Sequence, residues 1–131
     1  MYKFVKNSSD CLDFAVFPYI NHPLREFARG PVRLQIGNVR WGLTHIIHAH
    51  ANEINRTKLE PAAFVSSIVK PGSPIYCEFD MMKTSQRTQT VNMRIGTVVL
   101  EYKTTYLESF YTIITAFSRK QPIGELIGRL E

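Results

Sequence analysis

A change of hydrophobic period between the two halves of the chain constrains its fold more than any other feature. In the second half, Ile75-Tyr-Cys-Glu-Phe-Asp, Thr90-Val-Asn-Met-Arg-Ile, Val98-Val-Leu-Glu-Tyr-Lys and Phe110-Tyr-Thr-Ile-Ile-Thr-Ala-Phe are rich in β-branched and aromatic residues and run in period two. Successive side chains on a strand point to opposite faces, so such runs half-bury as strands. Gly96-Thr97 predicts a tight hairpin between the second and third, and short loops favour an antiparallel meander. Ile75, Cys77, Phe79, Val91, Met93, Ile95, Val98, Leu100 and Tyr102 then share an apolar face. Tyr76, Glu78, Asn92, Arg94, Glu101 and Lys103 share a polar one.

The first half reads differently. Residues 1–10 are mixed and peripheral, and Cys11–Phe17 is too short for periodicity to separate helix from strand. Pro18, Pro23, Gly30 and Pro31 cut the next segment into turns, with a short helix expected at Leu24–Arg29. Val32–Gly37 alternates as a strand. An amphipathic helix follows from about Gly42 to Asn55, with Leu43, Ile46, Ile47, His50 and Ile54 in one stripe and Thr44 or Asn38 as its cap. Pro61 suits the first turn of a second helix, Ala62–Val69. Lys70-Pro-Gly-Ser-Pro is a loop, and Gly124–Leu130 reads as a last short helix. The expectation is one α+β domain over residues 1–131, with N-terminal helices packed on one face of a four-stranded antiparallel β-meander.

The charge balance narrows the partners. Sixteen Lys and Arg against eleven Asp and Glu give +5, with a pI near 9.4. A basic small domain fits an anionic partner, nucleic acid above all. No apolar run approaches the ~18 residues of a membrane-spanning helix. Met1–Asn7 lacks the apolar segment of a signal peptide, which leaves a protein that works where it is made or a piece of a longer secreted chain. Cys11 and Cys77 have no CxxC spacing, which argues for buried free thiols over a thiolate metal site, with one bridge left open.

Acid–base chemistry concentrates in Trp41-Gly-Leu-Thr-His-Ile-Ile-His-Ala-His50. Three of the four histidines fall within six residues there, and imidazole both takes and gives protons near neutral pH. On a regular helix His45 and His48 share one face while His50 lies in the core row, so the three cannot meet one ion. The spacing is not HExxH, and no metal or other cofactor is expected. Two readings stand. In one, His50 is a core histidine and the others are solvated. In the other, one or two sit at the seam of helix and sheet and move protons for a reaction on a bound anion. The last strand offers the hydroxyls of Tyr111, Thr112 and Thr115, and its neighbours offer Arg94 and Lys103.

Histidine, a cation and an orienting hydroxyl are the parts of a metal-free ribonuclease. A base takes the ribose 2′-OH proton, a cation stabilises charge on phosphorus, and an acid protonates the leaving 5′-oxygen. The product is a 2′,3′-cyclic phosphate. The alternative is a non-enzymatic RNA-binding or interaction module that uses Tyr76, Arg94 and Lys103. A small immunity-type protein fits less well, because inhibitors of nucleases tend to be acidic.

Gly42-Leu43-x-His45-Ile46 with His50 five residues past His45, and the strand Tyr111-Thr-Ile-Ile-Thr115-Ala-Phe117, resemble two patterns of the barnase/EndoU/colicin/RelE-like nuclease superfamily. That superfamily includes C-terminal toxin domains of contact-dependent inhibition (CdiA-type) systems and phage-encoded relatives. The resemblance covers residues 32–120, with 1–31 as an N-terminal extension and 121–131 as a tail. It implies an endoribonuclease toxin with tRNA as favoured substrate, a cognate immunity protein and, in some such systems, a host activating factor. It also implies a C-terminal fragment of a larger secreted or surface-displayed protein acting in the target-cell cytoplasm. His45, His50 and Thr115 carry over as catalytic candidates. Arg94 as a further catalytic candidate and Lys103 as a substrate-binding one follow from the expected strand register; Thr112 and Tyr111, hydroxyls of the last strand, and His48, which has no counterpart in the family's pattern, are the other substrate-binding candidates.

Overall fold

The computed structural model describes residues 3–79 and 87–131. Its elements in order are β1 (Phe4–Val5), β2 (Ala15–Phe17), β3 (Ile20–His22), β4 (Arg25–Phe27), β5 (Gly30–Gln35), α1 (Gly42–Asn55), α2 (Pro61–Ile68), β6 (Pro74–Cys77), β7 (Arg87–Asn92), β8 (Gly96–Thr104), β9 (Ser109–Phe117) and β10 (Glu125–Arg129). The expected architecture of helices on a four-stranded meander is therefore wrong. The protein is mostly β, with two helices among the described residues and one large mixed sheet of eight strands.

β6, β7, β8 and β9 pair antiparallel in succession, but they are half of the sheet. β9 also pairs with β5 in parallel, at Val32↔Tyr111 and Arg33↔Thr112. The other edge of β5 takes β1 and β2. β10 pairs with β6 from the far side. Reciprocal backbone hydrogen bonds between Val16 and Glu131, 2.8 and 2.7 Å, then join β2 to the residues after β10 and close the sheet into a barrel. Closure removes exposed edges, which otherwise template aggregation. Short strands escape periodicity arguments, and the first-half misreadings follow from that. Leu24–Arg29 is not a helix; β3 and β4 form a hairpin there, with Leu24 N–H donating to His22 Nδ1 at 3.0 Å. Gly124–Leu130 is not a helix either, because the open edge of β6 takes it as β10. The expected strand end at Asp80 lies outside the described residues.

The β7–β8 turn also departs from expectation. Asn92 pairs with Gly96, so Met93, Arg94 and Ile95 form the turn and Gly96 begins β8. The Asn92 side chain accepts the Arg94 N–H at 2.9 Å, a local bond that asparagine offers in place of the ladder. Within β7, Thr90 stands opposite both Ile75 and Val98, so Thr88 and Thr90 rather than Val91 and Met93 point inward. The interior is filled by Phe17, Leu34, Ile46, Ile54, Phe64 and Leu100. Phe17 stacks on Tyr111 with ring centroids 4.0 Å apart.

α1 occupies the observed range Gly42–Asn55 because its core row, Ile46 and Ile54, is fully buried. Ile47, expected in that row, is 49% exposed. No cap side chain starts the helix. Its N-cap is Trp41, and the Thr44 N–H donates to Ile36 O at 2.9 Å. Gly42 adopts φ +82°, and a Cβ there would stand 2.8 Å from Gln35 O and 3.1 Å from the Gly37 Cα. Only glycine fits both the positive φ and the close approach. Gly42→Ala is predicted to lower the unfolding free energy by about 1–3 kcal/mol, read by urea denaturation. A variant as stable as the parent contradicts this account of the helix start.

Candidate functional site

The site begins with the edge of β9. β5 pairs with β9 no further than Thr112, and α1 lies along the part of β9 beyond it. Tyr111 and Ile113 belong to the interior, so Thr112 faces outward. Strict alternation would then send Thr115 inward. A bulge intervenes: Leu100 pairs with Ile113 and Val99 with Thr115, leaving Ile114 as the extra residue. Ala116 consequently returns to the core and Thr115 and Phe117 turn outward. A bulge re-aims side chains in this way next to many sites.

His45, in the first turn of α1, meets that hydroxyl. Its Nε2 is 3.0 Å from Thr115 Oγ1, and its Nδ1 is 2.9 Å from Val39 O. A carbonyl accepts and never donates, so Nδ1 carries the proton. In the neutral ring Nε2 then accepts from Thr115 Oγ1–H. In the protonated ring Nε2–H donates to Thr115, which frees the threonine hydroxyl to donate elsewhere. The Val39 carbonyl is placed by the turn over residues 37–41, in which Asn38 N–H donates to Trp41 O at 3.0 Å and Arg40 N–H to Asn38 Oδ1 at 2.8 Å.

His50 stands beside His45 with ring centroids 5.6 Å apart in an edge-to-face arrangement. The helical wheel separates the two by about 140°, with His50 within the core row and His45 to one side of it, yet their rings meet at the seam. His50 Nδ1 hydrogen-bonds Glu53 Oε1. The other carboxylate oxygen accepts from Ser118 N–H at 3.1 Å and Ser118 Oγ–H at 2.5 Å. Burial alone would raise the Glu53 pKa. The bonds from the Ser118 hydroxyl and amide and from His50 outweigh it, and the carboxyl is held below its ordinary value of 4.5. Glu53 is therefore an anion that orients His50. Neither Glu53 nor Ser118 was named from the sequence. The signal was present as His50-x-x-Glu53, a spacing that puts both on one helix face.

The other candidates divide. Arg94, in the β7–β8 turn, lines a cleft of about 370 Å³ with Glu53, Arg56, Ser118 and Lys120. Lys103 and Thr112 line a second cleft of about 270 Å³ with Arg40, Trp41 and Arg87. Lys103 Nζ sits 5.0 Å from the centroid of the Trp41 ring, and Thr112 Oγ1 donates to Gln35 Oε1 at 2.9 Å. Tyr111 does not join them. Its ring is buried in the core, its hydroxyl donates to Ala28 O at 2.7 Å, and burial pushes its pKa far above 10. His48 is exposed on the outer side of α1. Neither cysteine is in a disulfide; Cys77 is buried, with its thiol raised to about 11 chiefly by burial, and Cys11 is exposed. Among the described residues no group of three or more His, Cys, Asp or Glu side chains converges as a metal-binding set. No helix among them is long and apolar enough to cross a membrane.

Comparison with protein-family models, curated proteins and solved structures returns no match to this chain.

The Glu53 network links stability to pH. A carboxyl held low in the folded state stabilises it above the ordinary carboxyl range and loses that contribution as pH falls through the folded value. Glu53→Gln is predicted to be less stable than the parent at pH 7, with the gap shrinking between pH 5 and pH 3. Urea unfolding across that range reads it, and a gap independent of pH contradicts the assignment of Glu53 as an anion.

Proposed function

We propose that this chain is a metal-independent endoribonuclease that cleaves RNA by 2′-OH attack and leaves a 2′,3′-cyclic phosphate. The observation that carries the reading is the contact of His45 Nε2 with Thr115 Oγ1 beside the His50–Glu53 pair. Two imidazoles 5.6 Å apart can address two oxygens of one phosphodiester.

The roles follow from the hydrogen-bond partners. With its Nδ1 proton on an ionised carboxylate, His50 presents the Nε2 lone pair as general base, and Glu53 stabilises the imidazolium that forms when the 2′-OH proton arrives. His45, held by a neutral carbonyl, acts from its protonated state and gives the Nε2 proton to the leaving 5′-oxygen. While that ring is protonated its Nε2–H is shared between Thr115 Oγ1 and the leaving oxygen, and the threonine hydroxyl donates its own hydrogen to a non-bridging phosphate oxygen. Arg94, with Arg56 and Lys120 in the cleft beside the histidines, adds positive potential that favours the negative charge gathering on phosphorus next to it.

The identity of the substrate as tRNA rests on the resemblance of Gly42–Ile46 and Tyr111–Phe117 to the nuclease toxins. So do the cognate immunity protein, the host activating factor, the action in a target-cell cytoplasm and the origin within a larger toxin. The basic surface supports an RNA partner independently.

Purified protein incubated with total tRNA and EDTA, resolved on a denaturing gel, is predicted to give discrete fragments with cyclic phosphate ends. His45→Ala and His50→Ala each lower the rate by roughly 10²–10⁴, the span of a general acid or base. Thr115→Val lowers it roughly five- to tenfold, the worth of one hydrogen bond. kcat/KM against pH is bell-shaped. Intact RNA under these conditions and after addition of cell extract overturns the proposal and leaves the binding module, whereas full activity in folded His45→Ala removes His45 from the mechanism.

A further inference from the structure

The two cationic clefts lie on either side of the histidine pair, along the outer face of one strand. Arg87, Glu101 and Thr112 form one cross-strand row on β7, β8 and β9. Gln89, Val99 and Thr115 form the next, and Val91, Thr97 and Phe117 the one after that. Ser118 follows at the mouth of the Arg94 cleft. From Thr112 to Ser118 the path is roughly 15–20 Å at about 3.3 Å per residue less the bulge. Thr115, with His45 on it, is near the middle.

Each cleft holds three cations and one acid. In the Arg94 cleft the acid is Glu53, already engaged by His50 and Ser118. Arg56, Arg94 and Lys120 are exposed, and none is in an ion pair among the described residues. In the other cleft Glu101 faces Arg87 at 3.5 Å, while Arg40 is exposed and Lys103 lies against Trp41. Arg56, Arg94 and Lys120 give the first cleft an excess of positive charge and Arg40 gives it to the second, which also has the Trp41 ring as an aromatic wall.

We infer that this face is a track for an extended single strand of nucleic acid, with the reacting phosphate at His45, His50 and Thr115 and the phosphates before and after it in the two clefts. The inference rests on the ribonuclease reading for the position of the reacting phosphate. The charge pattern by itself calls for a strand that spans both clefts. A duplex does not suit it, because paired bases stay stacked inside the helix and cannot meet Trp41.

The test uses a fluorescein-labelled twelve-nucleotide DNA single strand, which has no 2′-OH to react, and the same sequence as a duplex. Binding to the intact protein is measured by anisotropy over a series of salt concentrations. The single strand is expected to bind at least tenfold more tightly than the duplex. The slope of log K against log salt for single strands falls by about 0.7 for each phosphate contact removed. Arg94→Gln with Lys120→Gln should therefore reduce it by about 1.4, and Arg40→Gln by about 0.7. Lys70→Gln, in the loop after α2, should leave it unchanged. An unchanged slope in either cleft's variants, or a duplex bound as tightly as the single strand, overturns the track. Cleft-dependent binding without RNA cleavage refutes the nuclease and keeps the track; cleavage without cleft dependence refutes the track alone.

Discussion

The arrangement depends on where β5 lets go of β9. Parallel pairing ends at Arg33↔Thr112, and β9 continues to Phe117. An unpaired strand edge must be covered or paired, and α1 covers this one. The chain reaches it by leaving β5 at Gln35 and turning tightly through residues 37–41. Gly37 and Gly42 come so close in that turn that neither position tolerates a side chain without displacing backbone. The turn has a second effect. It points the Val39 carbonyl at His45 and so fixes which imidazole nitrogen carries the proton. Backbone geometry and proton inventory are set by the same few residues.

The bulge at Ile114 is the sheet's matching contribution. Were Ile114 paired in regular register, Thr115 would point into the barrel and His45 would face the small apolar side chain of Ala116. With the bulge, the core keeps Ile113 and Ala116 while the hydroxyl comes to the outer face. The two histidines then have different partners, a carbonyl for one and an ionised carboxylate for the other. In the proposed ribonuclease that asymmetry divides the labour. A pair of imidazoles with identical surroundings would have no reason to act as acid and base respectively. Ser118 completes it by holding the second oxygen of Glu53, so the carboxylate cannot rotate away from His50.

Helix α1 and the alternating runs of the second half were legible in the sequence because each is long enough for its period to show. Gly42 to Asn55 gives nearly four turns, and β8 and β9 have nine residues each. What failed was short or depended on partners. β2, β3 and β4 have three residues apiece, below the length at which alternation differs from chance. β10 is a strand because β6 offers an edge, a fact that no local pattern in Glu125–Arg129 encodes. A closed sheet of eight strands therefore stands where a four-stranded meander was expected. At the site, the sequence identified His45, His50 and Thr115, and the structure brings all three to one seam. It missed Glu53, whose spacing from His50 was visible, and Ser118, whose role exists only through the fold. Tyr111 was misplaced because a hydroxyl on a strand says nothing of which face it is on. Its ring proved to be core.

On the proposed mechanism the seam of α1 and β9 activates a ribose hydroxyl as the nucleophile. The most direct measurement uses an RNA carrying a single 2′-deoxy nucleotide at the position mapped as the cleavage site, with an unmodified copy beside it. The account predicts that the modified strand stays intact at that position while the unmodified one is cut. Equal cutting of both would mean that the attacking group is not the 2′-OH, and the roles assigned to His45 and His50 would fall with it.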